Sequence, residues 1–341
     1  MQIDKNRKEI ERPSISVVIP CWNEYAHISH CAEALLHGTL PDIEVIIVDG
    51  QSTDGTRRII AALAEGDPRV RVLDNPDRTT PAALNIGIAN AIGEFVAILG
   101  AHSVPSVDWL ESNLSALKRN PNVVGVGGVL ETIGNTRMGR VGAAVLQSRF
   151  GVGNVRFRIG GPPGLVDTIV FGCYRRRAFQ YGLFDPELVT NQDDEFNTRL
   201  RAEGERLYFD PSIHSRYYSR SSWSRLIRQY WRYGRFKPEV FRKAGAIGSA
   251  RQIIPSLWVA FLGFALCLGP MFSVIRYGTF FVVATYLSLA AMAAIASADL
   301  TPSERFLFVP VAASVHLAYG LGMWCGTFKS AFRRGTMRVN C

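Results

Sequence analysis

Four groups of residues in this chain have the types and spacings that chemistry requires. IEVIIVDG (Ile43–Gly50) ends a β-branched run in Asp49, and STDGT (Ser52–Thr56) follows at once with Asp54. A carboxylate at the end of a buried strand can accept hydrogen bonds from a base or a ribose. The alternative is turn chemistry, which is as good a reading of the Asp54–Gly55 pair. His102, just past EFVAILG (Glu94–Gly100), is a residue that can ligate a metal or hydrogen-bond in a crevice. Asp193, Asp194 and Glu195 stand together where a helical pattern opens. Their mutual repulsion raises a carboxylate toward the range of a useful base, while the helix dipole opposes it; the alternative is a charged first turn that the dipole favours. Finally, Gln229-Tyr230-Trp231-Arg232-Tyr233 sets Arg232 among aromatic rings, a composition suited to anchoring at a membrane interface.

These residues need a frame, and the first hundred residues predict one. ISVVIP, IEVIIVDG, VRVLDN and EFVAILG read as buried parallel strands. Helical patterns lie between them, from Asn23–Glu24, over Thr56–Ala64 and around Pro81–Ala91. Four alternations predict a doubly wound α/β sheet whose ligand crevice lies at the carboxyl ends of the strands. Beyond Asp108 the pattern loosens into a helix (Trp109–Lys118), a strand (Val123–Val129), a Gly/Pro-rich stretch, a short apolar segment (Val166–Cys173) and a helix over Asp193–Gly204. Gly151–Gly164 reads either as a mobile loop over the site or as a surface excursion.

Composition divides the 341 residues. Residues 1–250 carry net charge +4 and residues 251–341 carry +5 in an otherwise apolar setting. With 20% charged residues and a mean hydropathy of +0.08, the chain is too apolar for disorder. The charged N-terminus predicts no signal peptide and a cytosolic front. Six cysteines without a CxxC pair predict neither zinc nor a disulfide framework. Residues 216–243 hold nine Lys/Arg and one acid among eight aromatics, which suits nucleic acid or an interfacial amphipathic helix. Three apolar stretches follow, Ile253–Ile275, Thr279–Ala298 and Phe306–Phe328. Each reaches the ~20 residues of a spanning helix, which favours the membrane and argues against nucleic acid. Whether two or three cross is open, because three would leave the Lys329, Arg333, Arg334, Arg338 cluster outside. The expected division is therefore a tail (1–12), a catalytic domain (13–215), a basic aromatic segment (216–250), a transmembrane region (251–330) and a basic tail (331–341).

No GxGxxG or GxxxxGK[ST] follows these strands, so a diphosphate in the crevice must be neutralised by a divalent cation or by an Arg/Lys clamp. The runs VVIPCWNE, IIVDGQSTDGT, RTTPAALNIGIANAIGEFVAIL, NQDDEFNTRLRAEG, QYWRYGRFK and HLAYGLG, in this order, resemble family 2 glycosyltransferases of the GT-A fold. Among these they look like the membrane-bound, ExoA-like type of succinoglycan biosynthesis, and the resemblance covers roughly residues 13 to 328. It implies that Pro20 and Glu24 shape the uracil and ribose pocket and that Asp49 holds the base or ribose. Asp54 and Asn85 would support the nucleotide loop. The family's metal motif, Asp-x-Asp or Asp-Ala-His, falls on Gly100-Ala101-His102, leaving His102 as the ligand for Mg2+ or Mn2+ without the first acid. The Glu-Asp motif that supplies the base falls on Gln192-Asp193, making Asp193 the base. Gln229 and Arg232 match Gln-x-x-Arg-Trp, with Tyr233 for Trp.

The resemblance thus implies inverting transfer from a nucleotide-diphosphate sugar to a polyprenyl-diphosphate-linked glycan in exopolysaccharide or cell-envelope polysaccharide synthesis. The site of action would be the inner membrane, with the catalytic domain cytoplasmic. A second reading, from the departures at Gly100 and Gln192, is a weakened or inactive membrane subunit that binds nucleotide sugar or glycan.

Overall fold

The computed structural model describes residues 13–218 and 222–338, with side-chain detail to residue 330. The first part alternates as expected: β1 (Ile15–Cys21), α1 (Ile28–Leu36), β2 (Ile43–Asp49), α2 (Thr56–Gly66), β3 (Val70–Asp74), α3 (Thr80–Asn90) and β4 (Phe95–Ile98). These strands are parallel in the order β3-β2-β1-β4, and β1 and β2 are almost wholly buried because helices cover both faces. Register places Cys21 beside Asp49 and Asp49 beside Asp74, so the strands end together and define one crevice edge. The helix expected from Asn23 starts later, at Ile28. Asn23 is left-handed (φ 55°), and its side chain accepts from the Thr53 amide while Ser52 accepts from its own amide. The loop after β1 is thereby tied to the loop after β2.

The rest of the sheet is mixed. After β5 (Ser103–Pro105) and α4 (Trp109–Arg119) come β6 (Gly125–Ile133), α5 (Arg137–Leu146), two single-turn helices α6 (Arg149–Val152) and α7 (Arg156–Ile159), β7 (Gly164–Val166) and β8 (Cys173–Arg175). Next are α8 (Gln192–Ala202) and β9 (Leu207–Tyr218). The order continues β4-β8-β6-β9-β5, with β8 antiparallel to β4 and β6, β6 parallel to β9, and β7 and β5 antiparallel to β9. The sheet is doubly wound in its first half only. The boundary expected at residue 215 falls inside β9.

α9 (Trp223–Ala244) spans the basic aromatic stretch, and α10 (Ile254–Leu268), α11 (Ser273–Ala296) and α12 (Pro302–Arg338) follow. Among the described residues three segments are long and apolar enough to cross a membrane: Ala250–Leu268, Ser273–Ala296 and Pro302–Ser330. The turn expected at Arg276–Gly278 is helical; the chain turns instead at 269–272, where Pro270 has no N–H to continue a helix. α10 and α11 present large apolar side chains outward, including Leu266, Val274, Phe280 and Ile295. α12 differs. Its Phe308, Val311, Ala312 and Val315 are buried with Val141, Val145 and Leu226 of α5 and α9.

α9 is not a free interfacial helix. Glycines let it meet α12 backbone to backbone: a Cβ on Gly234 would lie 2.0 Å from the Tyr319 carbonyl, and one on Gly322 2.4 Å from the Trp231 carbonyl. Gly234→Ala is therefore expected to force the helices apart and destabilise the protein by about 1–3 kcal/mol. Thermal unfolding in detergent or nanodiscs measures this.

Candidate functional site

One cavity of about 1130 Å³ opens along the carboxyl edge of the sheet and runs beneath the C-terminal helices. A single small-ligand site takes roughly 300–1,000 Å³, so this one has room for more than one substrate. Pro20, Glu24, Gly50, Gly100 and His102 line its sheet end. Asp193, Gln229 and Arg232 line its middle; Trp258, Tyr286 and His316 of α10, α11 and α12 line its far end.

The three acids at the start of α8 part company here. Asp194 is ion-paired with the buried Lys237 of α9 and accepts a 2.9 Å hydrogen bond from Gln252. Glu195 is buried against Arg199 at 2.8 Å. Asp193 lines the cavity, and among the described residues no side chain hydrogen-bonds it or forms an ion pair with it. Burial raises its pKa above the usual carboxylate range, repulsion from Asp194 adds to this, and Lys237 partly offsets it. Asn191, left-handed at φ 62°, anchors the start of α8 by donating to the Tyr233 carbonyl of α9 at 2.9 Å. Arg232 reaches Thr190 at 3.2 Å, and Gln229 donates to the Tyr233 hydroxyl at 2.6 Å. The two helices thus bring Asp193 and Arg232 to the lining of one cavity.

At the sheet end, His102 Nδ1 lies 3.1 Å from Glu24 Oε1. A carboxylate only accepts, so Nδ1 carries the proton and Nε2 keeps its lone pair. This is the arrangement in which a carboxylate orients a metal-binding imidazole. The position of the missing acid is filled: a Cβ on Gly100 would meet the Phe171 ring at 2.8 Å. Among the described residues no cluster of three or more His, Cys, Asp or Glu surrounds the position. The lone pair of His102 Nε2 is the group this position offers to a ligand.

The remaining expected residues serve the walls. Asp49 is fully buried, accepts from Ser52 Oγ at 2.6 Å and pairs with Arg57 at 3.3 Å. Asp54 accepts from Thr56 and from the Tyr25 amide at 3.1 Å, joining the β1 and β2 loops, and its hydrogen bond from Thr56 lowers its pKa. Asn85 holds the backbone of Phe184 in both directions, at 2.8 and 2.9 Å, and Phe184 lines the cavity. Asp49, Asp54 and Asn85 do not line it themselves.

Sequence reading missed several cavity residues. Arg158, on α7, donates to Thr132 at 2.6 Å and lies over the Tyr217 ring. The Gly-rich stretch that carries it is a cavity wall, closed onto α12 where His316 Nε2 meets the Gly151 carbonyl at 3.1 Å. Arg225 and Arg228 also line the cavity, and their spacing from Arg232 on one helix was the available signal.

Residues 16–182 match the family described as Glycosyl transferase family 2. Over 331 residues the chain is 30% identical to the succinoglycan biosynthesis protein ExoA of Rhizobium meliloti (strain 1021), covering 93% of this chain and 96% of that protein. The chain belongs to glycosyltransferase family 2. A second family relative is the dolichyl N-acetyl-alpha-D-glucosaminyl phosphate 3-beta-D-2,3-diacetamido-2,3-dideoxy-beta-D-glucuronosyltransferase of Methanococcus voltae. It is 35% identical over 239 residues, covering 67% of this chain and 74% of the relative. The mannosyltransferase PcManGT of Pyrobaculum calidifontis, solved with GDP-Man and Mn2+, has a similar fold (TM-score 0.58, 19% identity, covering 92% of this chain and 88% of that one). This family 2 enzyme therefore has the glycosyltransferase fold, with three apolar helices after it.

Proposed function

We propose that the protein moves a sugar, with inversion, from a nucleotide-diphosphate sugar to a lipid-linked glycan at a membrane. One observation carries the reading: Asp193 alone of three adjacent acids is left without a side-chain partner, in a cavity that joins the sheet edge to the apolar helices. Asp193 takes the proton of the acceptor hydroxyl as its oxygen attacks the anomeric carbon. The new C–O bond forms as the bond to the diphosphate breaks, and the diphosphate leaves with the electron pair. Arg232, which lines the same cavity, stabilises that charge. Pro20 and Glu24 then face the nucleoside. Asp49 supports the nucleoside pocket through Ser52 and Arg57, and Asp54 and Asn85 hold the backbone at Tyr25 and Phe184.

A divalent cation, held by His102 with Glu24 behind it, would supply charge neutralisation at the diphosphate. The imidazole favours Mn2+ over Mg2+. Glu24→Gln is expected to raise the Mn2+ concentration for half-maximal activity about tenfold, a titration that also tests the assignment of His102.

The family relatives named for succinoglycan synthesis and for a dolichyl phosphate-linked sugar support a lipid-borne acceptor, and polyprenyl diphosphate is the carrier we favour. Ion pairs support a specific membrane arrangement. Arg251, before α10, pairs with Asp167, and Glu304, in the first turn of α12, pairs with Arg140. Both ends of the α10–α11 hairpin are therefore held on the catalytic side, so the hairpin enters the bilayer and returns. α12, tied to the arginine-bearing α9, stays with the catalytic domain. This keeps the basic C-terminus with that domain on the cytoplasmic face of the inner membrane. The test is transfer by the full chain in nanodiscs from UDP and GDP sugars to lipid-linked acceptors. Hydrolysis of every donor without transfer to any acceptor would sink the proposal.

A further inference from the structure

Several arginines in this protein are tied to carboxylates, as Arg71 is to Glu44, Arg119 to Asp210 and Arg177 to Glu205. Arg149, Arg225 and Arg228 are different. All three line the cavity, and none of their guanidinium groups has an ion pair or a hydrogen bond among the described residues. Arg225, Arg228 and Arg232 follow i, i+3, i+7 spacing on α9, so they form one stripe along the helix. Arg232 is at the Asp193 end, through its contact with Thr190. Arg225 lies seven residues earlier, about 10 Å away along the axis. Leu226, on another face, is buried with Val145, and Phe150 and Val152 beside Arg149 pack on the same cluster. Arg149 lines the same cavity, next in sequence to Phe150, whose ring packs on Tyr286 at 5.1 Å. The wall there is apolar, with Ile254, Trp258 and Tyr286 exposed to the cavity from α10 and α11. Trp258 stacks on Tyr286 at 4.7 Å and 12°. Unpaired guanidinium groups beside an apolar wall suit a ligand that is anionic at one end and hydrocarbon at the other. A soluble nucleotide diphosphate uses only the first of these.

We propose that Arg149, Arg225 and Arg228 form a phosphate subsite for the lipid-linked acceptor, separate from the donor diphosphate site at His102 and Arg232. This rests on the function proposed above. The acceptor phosphate is held toward the membrane end of the stripe, and the glycan it carries extends along α9 to place its hydroxyl at Asp193. The hydrocarbon chain leaves past Trp258 and Tyr286 toward the apolar faces of α10 and α11. The subsite thereby selects acceptors whose reactive hydroxyl lies a set distance from the phosphate.

Binding tests this without requiring turnover, using the full chain in detergent with farnesyl phosphate, farnesol, inorganic phosphate and UDP as probes. The wild type is expected to bind farnesyl phosphate more tightly than farnesol or inorganic phosphate. Arg225→Gln with Arg228→Gln should weaken farnesyl phosphate about tenfold or more. Farnesol and UDP affinity and the thermal midpoint should stay unchanged. If the double variant loses UDP affinity instead, the arginines serve the donor and the subsite is refuted. If phosphatidylglycerol vesicles displace farnesyl phosphate equally well and the variant releases both, the stripe is a general headgroup contact and the acceptor assignment is wrong. Absence of UDP and GDP binding in the wild type would count against the proposed transferase activity and leave the farnesyl phosphate result standing by itself.

Discussion

Asp193→Asn is expected to lower kcat for sugar transfer by a factor of roughly 10²–10⁴, the usual contribution of a positioned base. Donor affinity should change little, because no carboxylate charge is needed to hold a diphosphate. The wild-type pH profile carries the same information. The base must be ionised, and its raised pKa means that activity falls with acidification earlier than an ordinary carboxylate near ~3.9 would dictate. Stability should move the other way. A carboxyl whose folded pKa exceeds its unfolded value binds a proton more tightly when folded, so stability falls as pH rises between the two values. Asp193→Asn removes that penalty, and the variant should unfold at a temperature no lower than the wild type at neutral pH. An inactive protein that is also less stable would indicate a structural rather than a catalytic carboxylate.

The second large effect is expected at Lys237, which is a positioning residue. Its ammonium group is buried in an ion pair with Asp194, and both side chains are nearly closed to solvent. Lys237→Met leaves Asp194 charged with Gln252 as its remaining side-chain partner, and loss of one member of a buried pair costs about 3–5 kcal/mol. Chemical denaturation in detergent measures this. Combining Lys237→Met with Asp194→Leu should recover most of the stability, because the orphaned charge is then gone. Lys237 also pulls the Asp193 pKa down, so in the single variant the acid limb of the activity profile should shift to still higher pH. A change in packing alone would not move that limb.

Much of this architecture was legible because local signals carry it. β1 and β2 are continuous β-branched runs, and burial on both faces requires such runs. In the second half of the sheet β6 was expected over Val123–Val129, but β7 and β8 were not legible, because they are three residues each and their partners are distant in sequence. The acid cluster at α8 could be found by inspection. Which acid is free could not, because Lys237, 43 residues away, removes Asp194 from consideration. His102 was visible, but its partner Glu24 lies 78 residues earlier and meets it only in the folded chain. Asp49 shows the reverse case. The strand-end acid was recognised, and folding turned it toward Ser52 and Arg57 rather than into the cavity. The first apolar boundary was misplaced because hydropathy hides a turn made of Gly269, Pro270, Met271 and Phe272, none of them charged.

The close contact of α9 with α12 bears on how the enzyme is made in the cell. A ribosome that has reached residue 300 has already produced every residue assigned to the chemistry, but not the helix that holds α9 in place. Until α12 emerges, the cavity lacks His316 and Tyr319 on one side, and the apolar cluster around Val141 and Leu226 has no cover. The cavity wall is therefore complete only with the last helix, which follows the α10–α11 hairpin in the chain.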